Sequence, residues 1–449
     1  MEVIEKRILF APDLDHLPRR VVIKFRRGVD IPYQPGTPAH LPQPERSAWL
    51  DLVAQFPGIV LGPYFTSVNE TRLRALEQAN LIVSPSIRLT SFFAVTCPPG
   101  VPPHPILGAV LQWQFVEDAY VEAGPTPPPV NPSDDPRNVS QGFQNPAPLG
   151  IDARWVWPEA DGAGAAIVDV EQGWTLHHED LTAAGVGLIS GLNSDWFPHG
   201  TSVLGVVAGM DNSKGGMGIA PGAAVRVVSQ WRTSTVYKTG DAVISALAVM
   251  SFGDVLLVEA QTEQPPGSGY VPVEVESCAF AALVTAFNNG VLVVEAAGNG
   301  SVNLDAYKNK EGKLVLKTTH TEFCDSKALM VGASRSATPH FRTGSSNFGK
   351  RIDCYAWGEN VDTCGSDVTG TNTTAYVSSF GGTSSAAAIV AGAAVLIQSW
   401  QTQMGRPKFG PADLHSLLRD GGLNTPSAAP MADRIGVMPN LRAIIESIR

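Results

Sequence analysis

An aspartate, a histidine, an asparagine and a serine in this chain each stand where an apolar run meets a turn. Asp169 closes Ala165-Ala-Ile-Val-Asp, and His199 opens His-Gly-Thr-Ser-Val-Leu-Gly-Val-Val-Ala-Gly. Asn299 follows Val-Val-Glu-Ala-Ala-Gly, and Ser384 follows Phe380-Gly-Gly-Thr. A carboxylate at the end of an apolar strand is costly unless it has a partner. A serine nucleophile needs a base, the base needs a carboxylate to orient it, and the oxyanion that forms needs hydrogen-bond donors. Singly, each residue has an ordinary explanation: a strand-end cap, a hydrogen-bonding loop group, an Asn-Gly turn, a helix N-cap. Together, in the chain order Asp, His, Asn, Ser, they match one of the few known orders for this acyl-transfer chemistry.

These residues have to be held by regular elements, and the pattern after residue 149 supplies them. Apolar runs at 164–169, 224–228, 254–258, 291–294 and 329–333 read as buried strands. Stretches at 199–210, 240–250 and 278–289 read as helices between them. Such alternation predicts an α/β three-layer sandwich with a central, mostly parallel sheet. Active groups in sheets of this kind collect at the carboxyl ends of the strands. Gly381 and Gly382 permit a sharp turn, and Ala386 to Trp400 has the composition of a buried helix. Ser384 then lies at the positive end of that helix.

Before residue 124 the alternation is shorter. Strands at 21–25, 58–65, 89–96 and 115–121 and helices at 47–56, 70–80 and 105–112 make a small α+β domain behind an irregular arm, 1–18. Residues 125–148 are rich in proline, Ser, Asp and Asn, and read as an extended linker. The expected organisation is 1–124, linker 125–148, and 149–449.

Composition bounds the partners. The chain has 449 residues, 44% hydrophobic and 16% charged, with a net charge of −10. An acidic balance argues against nucleic acid as a partner. The apolar runs 242–260 and 385–400 read as core elements, the first interrupted by Gly253 and Asp254 and the second too short to span a bilayer. No membrane association is expected. The N-terminus is charged and lacks a secretory apolar core, which points to a cytoplasmic chain or one released by another route. Five cysteines cannot all pair and show no Cys-x-x-Cys spacing; free buried thiols are expected over a bridge such as Cys354–Cys364.

Residues 149–445 resemble the catalytic domain of a subtilisin-like serine protease, a subtilase. Ala165–Val170 is similar to the family's aspartate motif, and His178-Glu-Asp-Leu181 to the loop after it. His199–Gly205 resembles the histidine motif, Ala296–Gly300 the oxyanion asparagine motif, and Gly382–Ala387 the serine motif. Gly218-Ile-Ala-Pro221 and Ile435–Leu441 match two further stretches. The resemblance implies a serine endopeptidase acting through an acyl-enzyme, with Asp169, His199 and Ser384 as triad and Asn299 beside the Ser384 N–H as oxyanion donors. It implies Glu259, Ala260, Gln261, Ala296, Ala297 and Gly298 as substrate-binding residues. The N-terminal domain resembles a subtilase propeptide, which implies an intramolecular partner, inhibitory or chaperoning, and a zymogen. Its tail runs into Gly124-Pro125, where proline hinders cleavage, so a permanent module or docking surface is the alternative. The expected remaining partner is a protein or peptide substrate, and the expected state a monomer.

The sequence also departs from the family. Ser202 stands where a second histidine is usual, and Ala388-Ile389 where Pro-His is usual. Glu259-Ala-Gln-Thr262 and Glu263 replace a Ser-x-Gly-Gly strand, which suggests a preference for Lys or Arg side chains. The chemistry needs no cofactor and no metal. Subtilases often bind calcium; this chain lacks an Asp-rich loop of regular spacing, and Asp180 and Asp211 are the nearest candidates. The alternatives are a catalytically silent subtilase-fold binding protein and a serine-carboxyl peptidase, in which a glutamate serves as base.

Overall fold

The apolar runs become strands of one large sheet in the computed structural model, which describes residues 19–29, 31–83, 88–98, 100–122 and 130–449. The arm 1–18 and residues 123–129, where the first domain meets the expected linker, lie outside the described residues. The chain forms two compact units, Met1–Pro128 and Pro129–Arg449.

The first unit is built on a four-stranded antiparallel sheet in the order Val60–Pro63, Phe92–Cys97, Arg19–Phe25, Val116–Val121. Val21, Ile23, Phe93 and Val95 project from it into a core closed by Trp49, Leu52 and Leu73. Those three come from the helices Gln43–Gln55 and Glu70–Val83, and Ile106 and Val110 from Pro103–Val110 add to them.

The second unit holds a nine-stranded sheet. Its order is Thr425–Pro426, Val437–Met438, Cys354–Trp357, Leu329–Ser334, Leu292–Ala296, Val255–Val258, Ala166–Glu171, Ala224–Ser229, Gly187–Ser190. Every neighbouring pair is parallel except the first. Because side chains alternate along a strand, each central strand feeds two cores. Val168, Val170, Leu256 and Val258 pack under the helices Thr239–Leu247 and Ser277–Asn288. Ile167, Val227, Leu257 and Val294 pack on the other side, with Phe197–Ala208 and Gly382–Gln403. The three layers expected from the alternation are therefore present.

Three boundaries differ from the expectation. The strand begun at Ala166 runs to Glu171, two residues past Asp169. The nucleophile helix runs unbroken from Gly382 to Gln403 and is buried along nearly its whole length. It is long and apolar enough to cross a membrane, but it is the core helix of this unit. Third, residues 130–148 are not an open linker. Phe143 is fully buried in the main core, Arg137 pairs with Asp362 at 2.7 Å, and Gln144 bonds Met217 O at 2.5 Å. Proline content signalled irregular backbone there and could not reveal that the backbone is packed. All five cysteines are free, Cys354 and Cys364 included.

Candidate active site

The strand Ala166–Glu171 brings two carboxyls to the same face, Asp169 and Glu171, because they are two residues apart. Only one reaches the histidine. His199 Nδ1 meets Glu171 Oε1 at 2.6 Å, and Glu171 is buried. Asp169 instead accepts the indole N–H of Trp174 on Oδ2 at 2.7 Å, and its Oδ1 is buried without a partner. Asp169, expected to be the carboxylate beside His199, does not reach it; the carboxyl that meets the imidazole is Glu171. The cause is the strand end: the Asp169 side chain sits one pleat deeper, and the residue at the mouth is Glu171. The signal in the sequence was Gly173, two residues on. A Cβ at Gly173 would lie 2.4 Å from Asp195 O, so the turn that leaves the strand starts after Glu171.

Charge follows this geometry. Burial pushes the Asp169 carboxyl well above the usual carboxylate range, and the neighbouring Glu171 adds to the shift. Burial alone would lower the His199 value; the charge and hydrogen bond of Glu171 outweigh it and raise the imidazole above its ordinary value. Burial thus favours the acid form of Asp169, which holds Trp174, while Glu171 is the carboxyl in contact with the imidazole.

The histidine helix, Phe197–Ala208, approaches this loop through Gly200. A Cβ there would meet Gly173 O at 2.4 Å and Trp174 Cδ1 at 2.6 Å. Thr201 Oγ1 accepts the Thr175 N–H at 2.8 Å, tying helix to loop. Ser202, where a second histidine was expected, donates to Pro198 O and Cys364 O at 2.8 and 2.9 Å. The His199 ring packs edge-on to Phe380, 5.6 Å between centroids.

Phe380 leads into the serine helix. Gly382 has φ +80°, and a Cβ on it would come within 3.0 Å of Asn299 Oδ1. Thr383 N–H donates to that same Oδ1 at 2.9 Å, and its hydroxyl does so at 3.3 Å. Asn299 is thereby fixed through its Oδ1, and its amide nitrogen lies 3.5 Å from Gln261 Oε1. Ser384 lies in the same first turn, where backbone N–H groups lack intrahelical acceptors. Ala388 and Ile389, which replace the usual Pro-His, are fully buried within a continuous helix, so the helix start needs no proline.

The residues read as substrate-binding divide. Gln261 is exposed and takes the Asn299 N–H at 3.0 Å. Its segment, Gln261–Thr262, pairs antiparallel with Val271–Pro272. Ala260, Ala296, Ala297 and Gly298 are buried beside it. Glu263 is exposed and accepts the Gly267 N–H at 3.0 Å. Glu259 is buried and turned toward Ser384. It does not stand open to a substrate side chain.

The comparisons with known proteins agree with this architecture. The subtilase family model matches residues 190–425, just over half of the chain. The chain belongs to the subtilase family, peptidase S8. It is a subtilisin-like serine endopeptidase, and so a hydrolase whose substrates are proteins or peptides. The matched stretch contains His199, Asn299 and Ser384 and begins after Glu171, where this subtilase departs from the expected aspartate motif. Subtilisin DY of Bacillus licheniformis is 29% identical over 245 residues, covering 53% of this chain and 78% of its own. An extracellular protease of Xanthomonas campestris is 26% identical over 343 residues, covering 67% of this chain and 54% of its own. Among solved structures, a protease from Pseudoalteromonas arctica superposes with a TM-score of 0.53 at 23% identity, covering 71% of this chain and all of that one. That likeness is one of fold.

Proposed function

We propose that this subtilase cleaves peptide bonds with Ser384 as nucleophile, His199 as base and Glu171 as the orienting carboxylate. The observation that carries this reading is the 2.6 Å contact between His199 Nδ1 and Glu171. It leaves Nε2 as the nitrogen to take the Ser384 proton when Oγ attacks the carbonyl carbon. The developing oxyanion is held by the Ser384 N–H and the Asn299 amide, which gives up Gln261 for it. His199 returns the proton to the leaving amine, and water then hydrolyses the acyl-enzyme by the same steps reversed. Glu259 beside Ser384 raises the second reading, a carboxyl base. Burial pushes the Glu259 carboxyl toward its acid form, with Glu171 and Asp169 adding to the shift, and neither of its oxygens makes a hydrogen bond to Ser384, which favours His199 as the base. A fluorophosphonate probe tests the proposal. Labelling lost in Ser384→Ala and His199→Ala supports it; a wild-type chain that resists labelling contradicts it and favours a silent scaffold.

For the N-terminal unit we propose an inhibitory or chaperoning role toward the second unit. Its support is an independent core and a strand-and-helix order like that of a subtilase propeptide. Mass spectrometry of the active protein checks this: a cut between residues 118 and 150 that accompanies a rise in labelling is expected. Full activity from the uncut chain would refute the inhibitory role.

We also propose that a calcium ion supports the second unit at Asp134, Asp135 and Asp211, whose carboxylate oxygens lie within 4.8 Å of one another. Asp135 is buried, and its Oδ2 has no partner, which fits a cation better than an empty cluster. Of the two aspartates singled out in the sequence, Asp211 belongs to this group. Asp180 lies beside it and takes the Gly216 N–H. Hard oxygen donors of this kind suit calcium. Chelator should lower the melting temperature of the wild type and leave Asp135→Asn unaffected; equal melting with and without chelator would argue against the site.

A further inference from the structure

Glu259 has no part in the chemistry above, yet it occupies a costly position. It directly follows the strand Val255–Val258 and is only 8% exposed. Both of its carboxyl oxygens are buried without a hydrogen bond of normal geometry. Val258 pairs with Val170, so Glu259 comes level with Glu171, on the face that carries Leu257 and Asp169. That is the face covered by the serine helix, whose first turn carries Ser384; the Ser384 hydroxyl lies close to the Glu259 carboxyl but outside normal hydrogen-bond geometry. Among the described residues, the His199 imidazole is bonded to Glu171, and Ser384 has no hydrogen bond to it. The charged and titratable groups around Glu259 are Glu171 and Asp169 from the neighbouring strand, with His199 behind Glu171. The strand on its other side brings Ala296 level with Glu259; its one acid, Glu295, pairs with Val258 and so lies on the opposite face, where it accepts the Glu274 N–H at 2.9 Å. A buried polar group left without partners is rare in native proteins and calls for a role.

We propose that Glu259, as a carboxylic acid, is a positioning residue for the nucleophile, holding the Ser384 hydroxyl in the resting enzyme. The inference rests on the serine-peptidase reading and deepens it. In the acid form, Glu259 offers an uncharged acceptor and donor to Ser384 Oγ. If ionised, it would set a negative charge against the oxyanion that forms beside Ser384. Burial, with the neighbouring Glu171 and Asp169 adding to it, pushes the carboxyl well above the usual range, toward that acid form. The site should therefore lose activity as pH rises through that raised value and the proton leaves.

The test is the rate of fluorophosphonate labelling against pH for the full chain and for Glu259→Gln and Glu259→Leu. Gln keeps the shape and the neutral hydrogen-bonding groups. It should label within about twofold of wild type at neutral pH, and its rate should stay flat where the wild type falls in alkali. Leu removes the interaction and should label about tenfold more slowly, with the acid limb set by His199 unmoved. Both variants should melt at or above the wild-type temperature, since each removes a buried carboxyl that lacks a partner. The proposal is overturned if Glu259→Leu labels like wild type, or if Glu259→Gln keeps the alkaline fall. It is also overturned if both variants lose labelling together with melting temperature, which would mark a purely structural role. A wild type that fails to label would sink the serine-nucleophile reading itself, which is a separate outcome.

Discussion

His199 and the three carboxyls around it carry most of the chemistry that this chain owes to single residues. As a base, His199 must be neutral, and Glu171 raises its ionisation above the ordinary histidine value. Activity should therefore climb as pH rises through that raised value. Glu171→Gln removes the charge, so its residual activity should show an acid limb displaced to lower pH, measured as kcat/KM against pH. An unmoved limb would mean that Glu171 does not act on His199. The same pair has the opposite effect on stability. A histidine whose value is raised on folding lends stability that is complete below its unfolded value and is lost as pH rises through the folded one. At this scale, the sequence disclosed residue types more reliably than partners. His199, Asn299 and Ser384 stood out by motif, and the structure places each at an element end in the second unit. The carboxylate was misread because two acids two residues apart lie on the same face of a strand. Only the exit of the strand, after Glu171, distinguishes them. Glu259 was noticed, but whether a strand-end acid points to solvent or inward depends on register, which one strand's sequence does not contain.

At the scale of elements, two glycines set how closely the histidine and serine helices approach the loops they serve. Gly200→Ala would place a methyl 2.4 Å from Gly173 O and 2.6 Å from the Trp174 ring. The histidine helix must then retreat from the strand that carries Glu171. Such displacement should lower kcat by about a hundredfold while leaving KM nearly unchanged. Steady-state kinetics on a peptide substrate would show it, and an unchanged kcat would mean the helix has slack. Gly382→Ala combines a strained left-handed φ with a contact on Asn299, and should cost activity through the oxyanion donor. The central strands and helices were legible because their apolar periodicity is strong. The edge strands, Gly187–Ser190 and Thr425–Pro426, are too short to show a period. The segment 130–148 was misjudged because proline specifies backbone conformation and says nothing about burial.

On the scale of the whole molecule, the sheet that carries the site is anchored away from it by a buried ion pair. Arg351 meets Glu274 at 2.7 Å and Asp353 at 3.1 Å, with Arg351 and Glu274 almost fully buried. Removing one partner leaves a charge buried without compensation. Arg351→Met should therefore destabilise the fold by about 3–5 kcal/mol in denaturant unfolding of the full chain. A change below about 1 kcal/mol would show that the network is solvated in solution. Fold class was readable from alternation alone, whereas this anchor was not, because its members are scattered across the sequence and meet only after folding.

All three scales converge on which carboxylate serves His199. The most direct test compares kcat/KM for Glu171→Ala and Asp169→Asn on one peptide substrate. Glu171→Ala should lose about 10³–10⁴, the scale of losing the orienting member of such a triad. Asp169→Asn keeps an acceptor for Trp174 and should stay within about tenfold of wild type. The reverse ranking, with Asp169→Asn crippled and Glu171→Ala near wild type, would contradict the account.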